Sequence, residues 1–161
     1  REKIRRREDP MKIAKFMKLH GMLVLTLHPD FNLAEASRRL AKSLGGRRFS
    51  VAVVTDVEDK MIGVISLGDI CHALGQHEEG AAKMLVRDVM TTDVVCCTPD
   101  DDIESVLQTM ADHGIRQMPV VENGKLAGLL ARRDALEFLY NQASLDANHL
   151  TEWLFRSDAR Y

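Results

Sequence analysis

Downstream of Asn32 the apolar residues Leu33, Ala36, Leu40 and Leu44 recur at three- and four-residue intervals, which predicts a helix of about three turns. Asn32 suits its N-cap, with Glu35 three residues on, and Gly45-Gly46 suits its end. The pattern then changes period. Apolar runs at 49–54 and 61–65, joined by a polar stretch at 56–60, predict an antiparallel pair of strands, and a helix over 67–74 follows. Upstream, Met11, Ile13, Phe16 and Met17 predict a short helix leading to a strand at 22–27, after which Pro29-Asp30 turns the chain.

The same order returns further along. A strand is expected at 94–98, a turn at Pro99-Asp100, and a helix carrying Ile103, Val106, Leu107 and Met110 that stops at Gly114. Strands at 118–121 and 126–130 flank Asn123-Gly124, a favoured tight hairpin turn, and a helix starts at Arg132. Pro29 and Pro99 stand 70 apart, as do Leu33 and Ile103, whereas Asp69 and Asp134 stand 65 apart. Losses of that kind belong in loops, and three residues are assigned to the Gly45-Gly46 turn and two to the strand-strand turn. The chain thus divides into a charged arm (1–10), a first repeat (11–75), a polar linker (76–84), a second repeat (85–140) and a helical tail (141–161) marked by Leu150, Trp153 and Leu154. One unit alone would expose its three-stranded face, so the two are expected to pack as one α/β (α+β) globule.

Composition narrows the function. The 161 residues are 45% hydrophobic with a formal charge of −2, enough for a core and without the basic excess that nucleic acid or anionic lipid would call for. No apolar run is long enough to span a bilayer, and the expectation is a soluble, cytoplasmic protein. Cys71, Cys96 and Cys97 show no metal or disulfide spacing; Cys96 and Cys97 share a strand-like run, so one should face the core and the other away. The six histidines form no HxH or HExxH pattern, and neither metal nor catalytic residues are expected.

The candidate chemistry lies in a duplicated segment, Gly63 to Asp69 and again Gly128 to Asp134. Each copy runs from a strand into a helix and sets a carboxylate near the helix N-terminus, where unpaired N–H groups favour phosphate and an Asp can accept ribose hydroxyls. Ser66 with Asp69 also fits a capping box with no ligand at all. The second copy does not, because Ala131 has no hydroxyl and Arg132 and Arg133 put positive charge at the positive end of the helix. A bound phosphate would compensate. Arg47-Arg48 and Arg116, each ahead of a second strand, are further candidates for phosphate contact or for solvated loop.

Val89-Met90-Thr91, the run 94–99, Met118-Pro119-Val120-Val121 and the two Gly-to-Asp segments together resemble a tandem pair of cystathionine-β-synthase-type (CBS) domains across about residues 17–140. The resemblance implies two β-α-β-β-α units related by a pseudo-two-fold axis, plus the C-terminal helix. It also implies a regulatory rather than catalytic role, with adenosine-containing ligands (AMP, ADP, ATP, NAD or S-adenosylmethionine) held in clefts between the repeats. Occupancy would act through a homodimer or an effector protein. Carried over, the first cleft would use Ser66, Gly68 and Asp69 with Asp93, Val94, Val95, Ile115, Arg116 and Pro119; the second would use Arg132 and Asp134 with Leu23, Val24, Arg48 and Ser50. Ala131 departs from the family's Ser or Thr, and Ala52 is read as standing where repeat one lacks the proline of repeat two. An interaction scaffold with degenerate clefts is the competing expectation.

Overall fold

The structure is a computed structural model describing residues 10–42 and 49–158, with side chains for all of these except 78–79 and 146–158. Leu44, Gly45, Gly46, Arg47 and Arg48 lie outside the described residues, as do the charged arm up to Asp9 and the side chains of Leu150, Trp153 and Leu154.

Helix α1 (Ile13–His20) is followed by a two-residue strand β1 (Thr26–Leu27), helix α2 (Leu33–Ala41), strands β2 (Val51–Thr55) and β3 (Met61–Ser66) and helix α3 (Leu67–His77). The expected α2 cap forms: Asn32 Oδ1 accepts from the Glu35 N–H at 2.8 Å, and Leu33, Ala36 and Leu40 are buried. The polar turn closes on Asp56, whose carboxylate accepts the N–H groups of Glu58 and Lys60, both at 2.9 Å. β1 runs parallel to β2, and β2 antiparallel to β3.

Within the stretch expected as linker, α3 passes directly into a 3₁₀ segment (Glu78–Lys83) in which Ala81 is fully buried. One apolar side chain anchors a stretch that composition marks as loop. Then come α4 (Val86–Val89), α5 (Ile103–Asp112), the β4 (Gln117–Glu122) and β5 (Lys125–Ala131) hairpin, and α6 (Arg132–Asp158). Asn123 and Gly124 hold φ of 51° and 77°, the left-handed pair that a tight hairpin demands. The tail is not a separate helix. No Gly or Pro interrupts residues 132–158, so α6 runs through them as one 27-residue helix.

The strand expected at 94–98 is reduced to a single parallel bridge, Cys97 to Val120, and β4 explains it. In repeat one the Val53 N–H donates to the Leu25 carbonyl at 2.9 Å and extends the β1–β2 pairing. Ladder register makes Pro119 the counterpart of Val53, since Pro119 pairs with Leu129 and Val53 with Val64. Proline has no N–H to give, so the matching hydrogen bond cannot form. The same register corrects the alignment: the place of Pro119 belongs to Val53, not Ala52, and four residues are lost before the strand and one in the hairpin, rather than three and two.

The two cores are crossed. Ile13 and Phe16 of α1 pack with Cys97, Ile103, Met110, Met118 and Leu130 of the second repeat, while Val86 of α4 packs with Leu27, Leu33, Leu40 and Ile65 of the first. Backbone bonds repeat the exchange in register. Ile13 N–H donates to Asp101 O (3.0 Å) and Ile103 N–H to Met11 O (2.9 Å), as Val86 N–H donates to Phe31 O (2.8 Å) and Leu33 N–H to Met84 O (2.9 Å). Each repeat is therefore completed by the helix that precedes the other, and neither can bury its apolar face alone. α1 follows this rule although sequence order puts it in the first repeat.

Candidate functional site: the cleft at the start of α6

The glycine that opens each Gly-to-Asp segment has a steric reason. A Cβ at Gly63 would lie 2.7 Å from the Thr91 carbonyl oxygen, and one at Gly128 would collide with Met22 Sδ. Both residues let the crossing segment lie directly on the strand. Over Gly63 the approach is sealed, because Val64 and Thr91 exchange N–H···O bonds at 2.9 Å in both directions.

At the end of β3 the chain turns into α3 through a closed set of bonds. Ser66 N–H and Ser66 Oγ both donate to Asp69 Oδ2 at 2.7 Å, and Ser66 Oγ accepts from the Asp69 N–H at 3.1 Å. This is a reciprocal capping box, so one carboxylate oxygen is committed to the helix start. Gly68 sits against it, where a Cβ would be 3.4 Å from Ser66 Oγ. Of the residues expected to meet this pair, Val95 and Ile115 pack against the second core, Pro119 is buried in β4, Asp93 is exposed and Val94 half-buried.

The start of α6 differs. Ala131 supplies no hydroxyl, and the first turn carries Arg132, Arg133 and Asp134 beside a cleft of about 1080 Å³. That is the upper end of the range for small-molecule sites. Leu23, Ser50, Arg132 and Asp134, all expected in the second cleft, line it together. Arg116, expected in the first cleft, lines this one as well, because the Arg132 N–H donates to its carbonyl at 2.9 Å and ties it to α6. The matching bond in repeat one runs from Leu67 N–H to Ser50 O at 2.9 Å, so Ser50 is the counterpart of Arg116. Arg48 lies outside the described residues, and Val24 is half-buried and does not line the cleft.

Sequence reasoning missed several lining groups. Met22 and Leu129 form apolar wall, and Phe16, which also lines the cleft, is stacked on His20 at 4.9 Å and meets Phe138 edge-on at 5.2 Å. Gln117 also lines the cleft, and its Oε1 is buried without a hydrogen-bond partner among the described residues. Its position beside Arg116 was the available signal, but only the strand register shows that it turns toward the cleft. Among the described residues, Arg116, Arg132 and Arg133 form no ion pair. The arrangement offers apolar wall for a flat base, a carboxylate for hydroxyls and guanidinium groups for an anion.

The cysteines split as their alternation implies. Cys97 is buried against Pro119 and its thiol is pushed up to about 12, chiefly by burial and then by the Asp101 charge; Cys96 is exposed, and partial burial raises its thiol also. The described residues contain no cluster of His, Cys, Asp and Glu able to hold a metal ion, and no described helix is long and apolar enough to cross a membrane.

A β-α-β-β-α unit and a second unit that keeps its first strand only as a bridge exchange their leading helices beside a mixed polar cleft, and together they define a paired α/β module. Comparison with known proteins identifies the class: the CBS domain family model matches residues 24–76 and 86–141, and the chain belongs to that family as a tandem CBS pair. Uncharacterized protein MJ1225 of Methanocaldococcus jannaschii is 30% identical over 117 residues, covering 72% of this chain and 39% of that protein. The chain thus spans well under two thirds of that relative's length. Among solved structures, the cytosolic domain of the Mg2+ channel MgtE in complex with ATP is 26% identical, with a TM-score of 0.62 over 71% of this chain and 44% of that one. The CBS domain pair of protein MJ0100, in complex with 5-methylthioadenosine and S-adenosyl-L-methionine, is 21% identical with a TM-score of 0.68 over 83% and 98%, a likeness of fold.

Proposed function

We propose that this chain is a regulatory module that holds an adenosine-containing ligand in the α6 cleft and transmits its occupancy through altered subunit or partner contacts. The observation that carries the reading is the convergence of Leu23 and Ser50 from the first repeat with Arg116, Arg132 and Asp134 from the second on one cleft. Asp134 accepts the ribose hydroxyls, Leu23 and Leu129 flank the base, and the arginines face phosphate. The ligands of the MgtE and MJ0100 structures support the class without choosing among AMP, ADP, ATP, NAD and S-adenosylmethionine. At α3, Ser66, Gly68 and Asp69 act chiefly as a helix cap. Leu67 and Leu74 on α3 and Tyr140 and Leu145 on α6 are large exposed apolar residues, which supports a homodimer formed through these outer faces.

A second reading, an interaction scaffold without a ligand, draws on the sealed Val64–Thr91 contact and the closed Ser66–Asp69 cap. Calorimetry with the five ligands separates the two, with light scattering on the same samples reporting assembly. The regulatory reading expects binding that Asp134→Ala weakens by roughly tenfold to a hundredfold, the cost of a charged acceptor, and that Asp69→Ala leaves in place. A panel that evolves no heat at millimolar ligand leaves the scaffold.

A further inference from the structure

Helix α6 outlasts the core that holds its start. Ala135 and Phe138 are buried in the second core, whereas none of residues 140–145 is buried, and the helix continues to Asp158. In water a helical extension is held chiefly by covering an apolar stripe rather than by propensity, so this one calls for cover. The sequence of α6 carries such a stripe. Leu136, Tyr140, Ala143, Ala147, Leu150 and Leu154 follow one another at intervals of four, three, four, three and four residues, the alternation that lines apolar positions up for a partner helix. Where side chains are described the line is open: Leu136 is 49% exposed, Tyr140 is 73% exposed, and Ala143 is exposed. Leu136 also lines the cleft, so the line starts at its rim.

We propose that this line is the contact for α6 of a second copy of the chain, running antiparallel about a two-fold axis at Leu145. The inference rests on the homodimer reading above and narrows its outer faces to one seam and one register. The stripe is symmetric about Leu145: Ala143 and Ala147 stand two positions either side of it, Tyr140 and Leu150 five, and Leu136 and Leu154 nine. Antiparallel pairing therefore sets large residues against large at both ends and alanine against alanine in the middle, where small side chains let two helices approach closely. A parallel pair would also match sizes. But each helix starts inside its own repeat, so parallel pairing crowds two globules at one end and aligns the helix dipoles, whereas antiparallel pairing separates the globules and opposes the dipoles. From Leu136 to Leu154 the seam is about 27 Å long at 1.5 Å per residue. That is short for a free-standing coiled coil, but each helix is already anchored by its repeat, which removes part of the ordering cost of association. The register sets position 154 of a second copy against Leu136, so pairing and the cleft share that residue.

The test uses the whole chain with its exposed Cys71 and Cys96 changed to Ser, leaving the buried Cys97 in place. Ala143→Cys and Ala147→Cys are made separately in that background, then oxidised alone and as an equal mixture. We expect the disulfide-linked dimer from the mixture and not from either variant alone, because the register brings position 143 to position 147 of a second copy. Light scattering should show a dimer that Tyr140→Asp and Leu150→Asp each convert to monomer. Leu145→Asp, half a turn away from the seam on an equally open side, should leave the dimer intact. Slow amide exchange retained in β2 and β5 shows that the variants are folded. Crosslinking of each variant with itself as fast as in the mixture means parallel or unordered helices and overturns the inference. A dimer that ignores Tyr140→Asp and Leu150→Asp, or that Leu145→Asp dissociates instead, also overturns it and leaves the homodimer reading standing through the other exposed faces. A parent chain that is monomeric at tens of micromolar overturns both.

Discussion

Replacing Asp69 by Ala separates a helix cap from a ligand contact at the end of β3. The carboxylate oxygen Oδ2 accepts two hydrogen bonds at 2.7 Å, from the Ser66 backbone N–H and from its hydroxyl, in a partly buried setting. Hydrogen bonds to a charged acceptor contribute about 1.5–3 kcal/mol each where buried, and whole N-caps about 0.5–2 kcal/mol. Partial exposure and the surviving bond from Asp69 N–H to Ser66 Oγ argue for the lower part, so a loss of about 2 kcal/mol is expected. For a chain of this size each kcal/mol moves the melting midpoint by about 2–4 °C, which makes the expected drop about 4–8 °C. Urea titration and calorimetric melting measure it, and Ser66→Ala should reproduce a large part of the effect because it removes the hydroxyl from the same box. If Asp69→Ala melts with the parent and loses nucleotide binding instead, the assignment of this carboxylate to the cap is refuted.

Two further outcomes follow from the cores. Ile13 is fully buried in the core of the second repeat, so Ile13→Ala should cost about 2–5 kcal/mol and expose amides of α5 and β4 to hydrogen exchange before those of α2 and β2; equal loss in both repeats would contradict the crossed packing. The Cys97 thiol rises from an ordinary 9.0 to about 12 on folding, so the unfolded chain releases its proton first. Its contribution is complete below about pH 9 and falls by at most about 1.4 kcal/mol per pH unit between there and 12, and Cys97→Ala should flatten the urea-stability profile over that window.

Much of this protein was legible without coordinates because its signals are local. The stripe of Leu33, Ala36 and Leu40, the Asn32 cap, the Asn123-Gly124 turn and the doubled Gly-to-Asp segment each act over a few residues, and each predicts its element whatever lies across the core. The two-copy order, and with it the family, came from the same short-range pattern. What periodicity misses are decisions made between distant residues. The strand at 94–98 has the right composition and still pairs only at Cys97 with Val120 among the described residues, because the next donor position in β4 is Pro119, which has no N–H. The stretch 76–84 reads as polar throughout, yet Ala81 finds a buried place, and the tail looks separate until α6 continues through it. Sequence order gives α1 to the first repeat and α4 to the second; burial exchanges them, because Ile13 and Val86 find apolar partners only across the pair. The cleft is decided in the same way. Arg116 reads as a partner for Asp69, and one backbone hydrogen bond to Arg132 draws it to Asp134, so sequence supplied the chemical groups and tertiary contact chose which of them meet.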